Sequence, residues 1–175
     1  MTWNQAIFEV INLRSFSSVW YWIVLAVTWS SVSHYVMGVP YDLIQRARRD
    51  LSGQAYLDVL DLVRINVNRV LHISKTAGMV LIAFSCFVLT SLALMGFYYD
   101  AELAQAIFLI ALPLTGVGIL SIATARKLYD VDPEGEALFK MLFRHRLWTQ
   151  IIGMIAIFFT AMYGMYQNLD LIRHL

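Results

Sequence analysis

The chain has 175 residues and a formal charge of +1, with 59% hydrophobic but only 14% charged side chains. Soluble domains carry about 45–50% apolar and about 25% charged residues, so a water-soluble globule of this size could not cover so much apolar surface, and a bilayer is the solvent the composition asks for. The single cysteine, Cys86, excludes an internal disulfide and a multi-cysteine metal site within one chain.

At the start, Trp3, Ile7, Val10 and Leu13 recur at helical spacing opposite Asn4, Glu9 and Asn12. The pattern suits a short helix lying along the membrane interface, or one packed beside the first span as an anchor. It does not suit a cleavable signal peptide, because the basic n-region and small-residue cleavage site are missing and the first apolar stretch is too long. Residues 19–39 form that stretch, which ends at Pro40. A hydrocarbon core about 30 Å thick needs roughly 20 apolar residues at 1.5 Å each. Residues 76–98, 103–125 and 149–168 meet the same requirement, and none of the four contains Asp, Glu, Lys or Arg. Cys86 lies mid-span, where it reads as a small buried hydrophobe.

Between the first two spans, residues 40–75 carry a stripe of Tyr56, Val59, Leu60, Val63, Val67, Val70 and Leu71 at i, i+3, i+4 and i+7. No Gly or Pro follows before Gly78, so one long helix is expected to run from this segment into the second span. Its apolar face needs cover, from within the protein, from headgroups, from a second copy or from another protein. Residues 126–148 open with Asp132 as a candidate N-cap, Pro133 at the first helical position, and Glu134 and Glu136 at the positive end of the dipole. Capping explains these alternating acids better than a calcium loop does. Beyond them, Leu138, Phe139, Met141, Leu142 and Phe143 are too apolar for free solvation and should rest on the bilayer or on the first stripe.

Eleven of the thirteen Lys and Arg residues fall in these two segments, and the turn after the second span, with Asp100 and Glu102, has none. By the positive-inside rule both segments face the cytoplasm and both termini lie outside. The aromatic belts agree, with Trp20, Tyr21, Trp22, Tyr98, Tyr99, Tyr163 and Tyr166 at outer ends and Tyr35, Tyr41, Tyr129 and Trp148 at inner ends. The expected fold is an all-α integral membrane four-helix bundle with an N-terminal interfacial helix and cytoplasmic helical extensions, set as one domain in the plasma (inner) membrane.

Chemistry is harder to find. His34 lies about 13 Å deeper than His72 or His145 at 1.5 Å per residue, which argues against a shared haem iron. Transporters normally keep ionisable groups within their spans, and here only His34 qualifies. Pro113, followed by Thr115, Gly116 and Gly118, suggests either a broken helix lining a carrier site or a kink repaired by hydroxyls. Small residues such as Gly116, Gly153, Ala156 and Ala161 are candidates for close helix contact. Phosphate loops, nucleophile elbows and histidine-glutamate zinc motifs are absent. Arg46, Arg48, Arg49, Arg144 and Arg146 are expected at the membrane surface, against anionic headgroups rather than nucleic acid.

The run from Ala6 through Ile7-Phe8-Glu9-Val10-Ile11-Asn12-Leu13-Arg14 to Trp22, continuing past His34 to Val39-Pro40-Tyr41-Asp42 and Arg46-Ala47-Arg48-Arg49, resembles a family of small alphaproteobacterial membrane proteins labelled "component of SufBCD complex". The resemblance covers about the first third of the chain and involves topology and anchor residues. It implies a place beside iron–sulfur assembly machinery and no catalytic residue. With Cys86 alone the chain cannot supply the thiolate ligands of a cluster scaffold, so the part left to it is that of anchor or assembly factor. The expectation is a non-enzymatic scaffold or accessory subunit without cofactor or metal. Membrane lipid and a protein partner or second copy are its expected partners, the protein docking on Val59, Val63, Val67, Val70, Phe139 and Phe143. The alternatives are a small-molecule carrier with a proline-broken third helix and a membrane b-type haem protein.

Overall fold

A computed structural model describes residues 15–173, so the expected interfacial helix at the N-terminus lies outside the described residues. After a short 3-10 turn at Ser15–Ser17, helix α1 runs Val19–His34 and a two-stranded hairpin pairs β1 (Tyr35–Val36) with β2 (Val39–Pro40). Helix α2 follows at Tyr41–Arg49, and then come three long helices. Helix α3 spans Gln54–Ala93 and continues through a π-helical turn at Leu94–Tyr98, α4 spans Glu102–Val131 and α5 spans Gly135–Arg173. The stripe and the second apolar stretch therefore do form one uninterrupted helix, as the lack of an early breaker implied.

Among the described residues three helices are long and apolar enough to cross a membrane: Gln54–Tyr98, Glu102–Val131 and Gly135–Leu169. Their flanks are apolar and uncovered, as Met79, Ile82, Phe87, Ile119, Met154 and Phe158 show. The first apolar stretch departs from expectation, because its helix ends at His34 rather than continuing to Val39. At 16 residues it is roughly 24 Å long, short of the roughly 30 Å apolar layer. Pro40 restricts Val39 to extended backbone. Met37 and Gly38 both adopt positive φ (53° and 78°), the conformation of a two-residue type I′ hairpin turn. The chain so reversed buries Val36 and Val39 completely, which a continued helix would not do. Gly38 is also the only residue type that fits, since a Cβ there would lie 2.8 Å from the Asn66 side chain.

Another boundary differs from the sequence reading. Asp132 does not N-cap α5. It is the left-handed C-cap of α4 (φ 43°), with its amide donating to the Leu128 carbonyl. Asp tolerates that conformation and Pro133 cannot continue the helix, so the pair stops α4 instead of starting α5. Gly135 then opens α5, and its amide donates to the Tyr56 hydroxyl at 2.8 Å, tying α5 to α3. Between α2 and α3, the Asp50 carboxylate accepts bonds from the Ser52 hydroxyl and amide, and these hold it below the usual carboxylate range.

Among the described residues the interior holds two apolar clusters. The smaller joins Leu25 and Trp29 of α1 to Val117 of α4 and Ala156 of α5. The larger gathers the hairpin, α2, the first half of α3, the end of α4 and the start of α5. At the opposite end from it, Gly96 lets α4 approach so closely that a Cβ would meet the Gln105 amide nitrogen at 2.9 Å. Gln105 is 2% exposed. It donates to the Gly96 carbonyl (2.7 Å) and accepts from Gln167 (2.9 Å), so its amide is well partnered. Phe16 closes this end beneath Tyr21 and Tyr163, with its amide on the Glu102 carboxylate.

Candidate functional site

The stripe on α3 was the main docking candidate, and the structure turns it inward. Val59, Val63 and Val67 are at most 6% exposed and pack with Val36, Ile44, Ala125, Leu138 and Leu142, with Val70 at the edge. Phe139 is equally buried and Phe143 partly so. Of the six residues expected to dock a partner, Val59, Val63, Val67 and Phe139 are thus buried within the chain and Val70 and Phe143 partly so. An unmatched apolar stripe is covered by whatever lies nearest, and here the hairpin and α5 reach it first. The exposed face of α3 is the opposite one, where Leu57, Ile65 and Ile73 stand out among Asp58, Asp61, Arg64 and Arg69.

The arginines divide between solvent and packing. Arg46 pairs with Asp42 at 3.5 Å on an exposed turn of α2, and Arg49 and Arg144 are exposed. Arg146 is half-buried with its guanidinium 3.4 Å from the Tyr41 ring centroid. Arg48 sits 5.2 Å from that of Phe143, and Tyr41 meets Phe143 edge-on. Arg146 and Arg48 thus bind α2 to α5 through cation–π contacts. Arg146, expected at the membrane surface, has its planar face occupied by Tyr41. Its Nε is buried without a hydrogen-bond partner among the described residues.

Beside the larger cluster a cleft of about 740 Å³ opens between α3, the end of α4 and the turn into α5. Asp61, Arg64 and Asn68 line one wall, and Tyr129, Asp132 and Glu134 the other. Its floor is Val63, Val67, Leu128 and Leu138. Three acids against one arginine, over an apolar floor, suit a segment with cationic and apolar side chains more than an anion.

The remaining candidates are scattered. His34 is exposed with its ring against Tyr35, and His72 is exposed. His145 is 5% exposed and lies 3.1 Å from the Thr124 hydroxyl. The same hydroxyl lies 2.8 Å from the Leu120 carbonyl, to which it can donate. Cys86 is exposed on the apolar flank of α3. Helix α4 passes through Pro113 unbroken, and the Thr115 hydroxyl donates to the Ala111 carbonyl at 2.9 Å. Of the two readings of Pro113, the broken helix is not formed, because α4 stays continuous through it. Sequence reasoning missed the cleft because it draws on three elements, and only the pairing of α3 with the α4–α5 turn brings its walls together. In comparisons with family models, curated proteins and solved structures, no match to this chain was found.

Proposed function

We propose that the chain is a polytopic inner-membrane protein with both termini outside the cytoplasm, and that it acts as a non-enzymatic scaffold docking a soluble partner on a folded cytoplasmic head. One observation carries this reading. The basic ends of α3, α4 and α5 enclose a core of their own with the hairpin and α2, and that core is bordered by the acidic cleft. A bundle that only had to span would not need such a body. Helix α1, packed on α4 and α5 through Leu25 and Trp29, serves as the fourth, shorter span, with the hairpin lying at the inner face. The carrier alternative loses its main support with the continuity of α4.

The resemblance of the first third of the chain supplies a candidate partner, the SufBCD assembly. The test mixes the full chain, purified in mild detergent, with purified SufBCD complex and follows co-elution by size exclusion. Co-elution should be lost with Asp61→Lys and Glu134→Lys, which invert the cleft, and retained with Arg46→Ala. Absence of co-elution with the unaltered chain would remove this partner, and loss in Arg46→Ala as well would remove the cleft as the docking surface.

A further inference from the structure

A second concavity, of about 330 Å³, lies in the groove between α4 and α5 on the side of His145. The geometry points to a binding site there for the phosphate of an anionic phospholipid headgroup, seated between Lys127 and Arg144. This rests on the membrane reading proposed above.

The Thr124–His145 contact fixes the register of the two antiparallel helices. One turn away in one direction Leu120 faces Trp148, and one turn away in the other Lys127 faces Met141, all of them lining the groove. The groove is thus graded along its length, apolar at the Leu120–Trp148 end, with Arg144 beside the Thr124–His145 contact and Lys127 one turn beyond it. The apolar spans end at residue 125 on α4 and begin at 149 on α5, so the gradient straddles the boundary of the apolar layer. Its apolar end opens towards the membrane interior and its basic end towards the headgroups.

Charge favours the same occupant. No acidic side chain lines the groove, and neither Lys127 nor Arg144 has an ion-pair partner among the described residues. Both are exposed and held on rigid helix, whereas Arg146, two residues on, is committed to Tyr41. Basic pockets between membrane helices on the cytoplasmic side bind anionic headgroups, and Trp148 sits where tryptophan anchors at the interface. Leu120 and Trp148 favour a lipid over a free anion, because the apolar wall continues into the uncovered flank of α4 at Ile119. An acyl chain would lie along that flank, and inorganic phosphate would have no use for it.

The experiment is native mass spectrometry of the full chain in mild detergent, titrated with phosphatidylglycerol or with phosphatidylcholine of matched acyl chains. Phosphatidylglycerol should bind preferentially, and Lys127→Ala with Arg144→Ala should weaken it roughly 30-fold, the product of two surface cations. The charge-matched pair Arg69→Ala with Lys140→Ala, outside the groove, should keep the preference. Millimolar inorganic phosphate should not displace the lipid. Should the double variant melt earlier than the unaltered chain, Lys127→Gln alone should still weaken binding roughly fivefold. Equal binding of the two lipids, displacement by inorganic phosphate, or equal losses in both double variants would each overturn the site. A chain that stays monodisperse without detergent would instead overturn the membrane reading itself.

Discussion

Gly153 and Gly116 look alike in the sequence, each a small residue in an apolar helix, but the structure separates them. A Cβ at Gly153 would lie 2.8 Å from the Trp29 ring, while one at Gly116 would meet nothing within 4 Å. Trp29 is buried, so it cannot swing away. Gly153→Ala should therefore destabilise the chain by about 1–3 kcal/mol, as overpacking does. Gly116→Ala should be neutral or stabilise by about 0.5–1 kcal/mol, because a helical glycine gives up its extra backbone freedom. Thermal unfolding in one detergent compares the two directly, and equal effects would mean that α1 does not lie on α5 as described. Ala161, also a candidate for close contact, is exposed, whereas Ala156 is buried beside Trp29. Size alone marked where helices could approach, and only the partner ring showed where they do.

At the scale of elements, periodicity was the informative signal. The i, i+3, i+4, i+7 stripe made α3 legible as a helix with one apolar face, and the absence of a breaker before Gly78 made its continuity legible too. What covers the stripe was legible only in part. Phe139 and Leu142 come from a segment expected to rest either on the bilayer or on this stripe, whereas Val36 and Val39 come from a hairpin that looked like the end of a span. The hairpin was hidden because Val36-Met37-Gly38-Val39 is as apolar as the helix before it, and its one cue, Gly38 before Val39-Pro40, is short. Two substitutions test the assignment of the stripe to the core. Phe139→Ala should cost about 3–5 kcal/mol, as for other large buried side chains. Val63→Asp should lower thermal stability sharply by burying an unpaired carboxylate, with no partner present. If Val63→Asp left the melting temperature of the isolated chain unchanged while abolishing partner binding, the stripe would be a docking face after all.

For the molecule as a whole, helix length and charge must be reconciled. From Gln54 to Tyr98, α3 and its π-helical turn contain 45 residues, roughly 67 Å of helix against an apolar layer of roughly 30 Å. The excess lies at the Gln54 end, because the turn after Tyr98 is closed by the Gly96–Gln105 contact and carries no cation. The overrun of α5 falls at the same basic end, where it shares the larger core. Six Lys and Arg in residues 40–75 and five in 126–148 would have to cross the membrane if the orientation were reversed. That runs against the positive-inside bias, and in addition the head would have to fold in the other compartment. A fluorescent reporter that matures only in the cytoplasm should therefore be bright when inserted in the Asp50–Gly53 connection and dark when fused after Leu175. Alkaline phosphatase, active only outside, should give the opposite pattern. Replacing Arg46, Arg48 and Arg49 with alanine while adding lysines beside Asp100 should blur both patterns, since the bias that sets the orientation would then be weakened from both sides. A bright fluorescent signal from the Leu175 fusion of the unaltered chain would place the head outside the cytoplasm and remove the proposed docking of a soluble cytoplasmic partner with it.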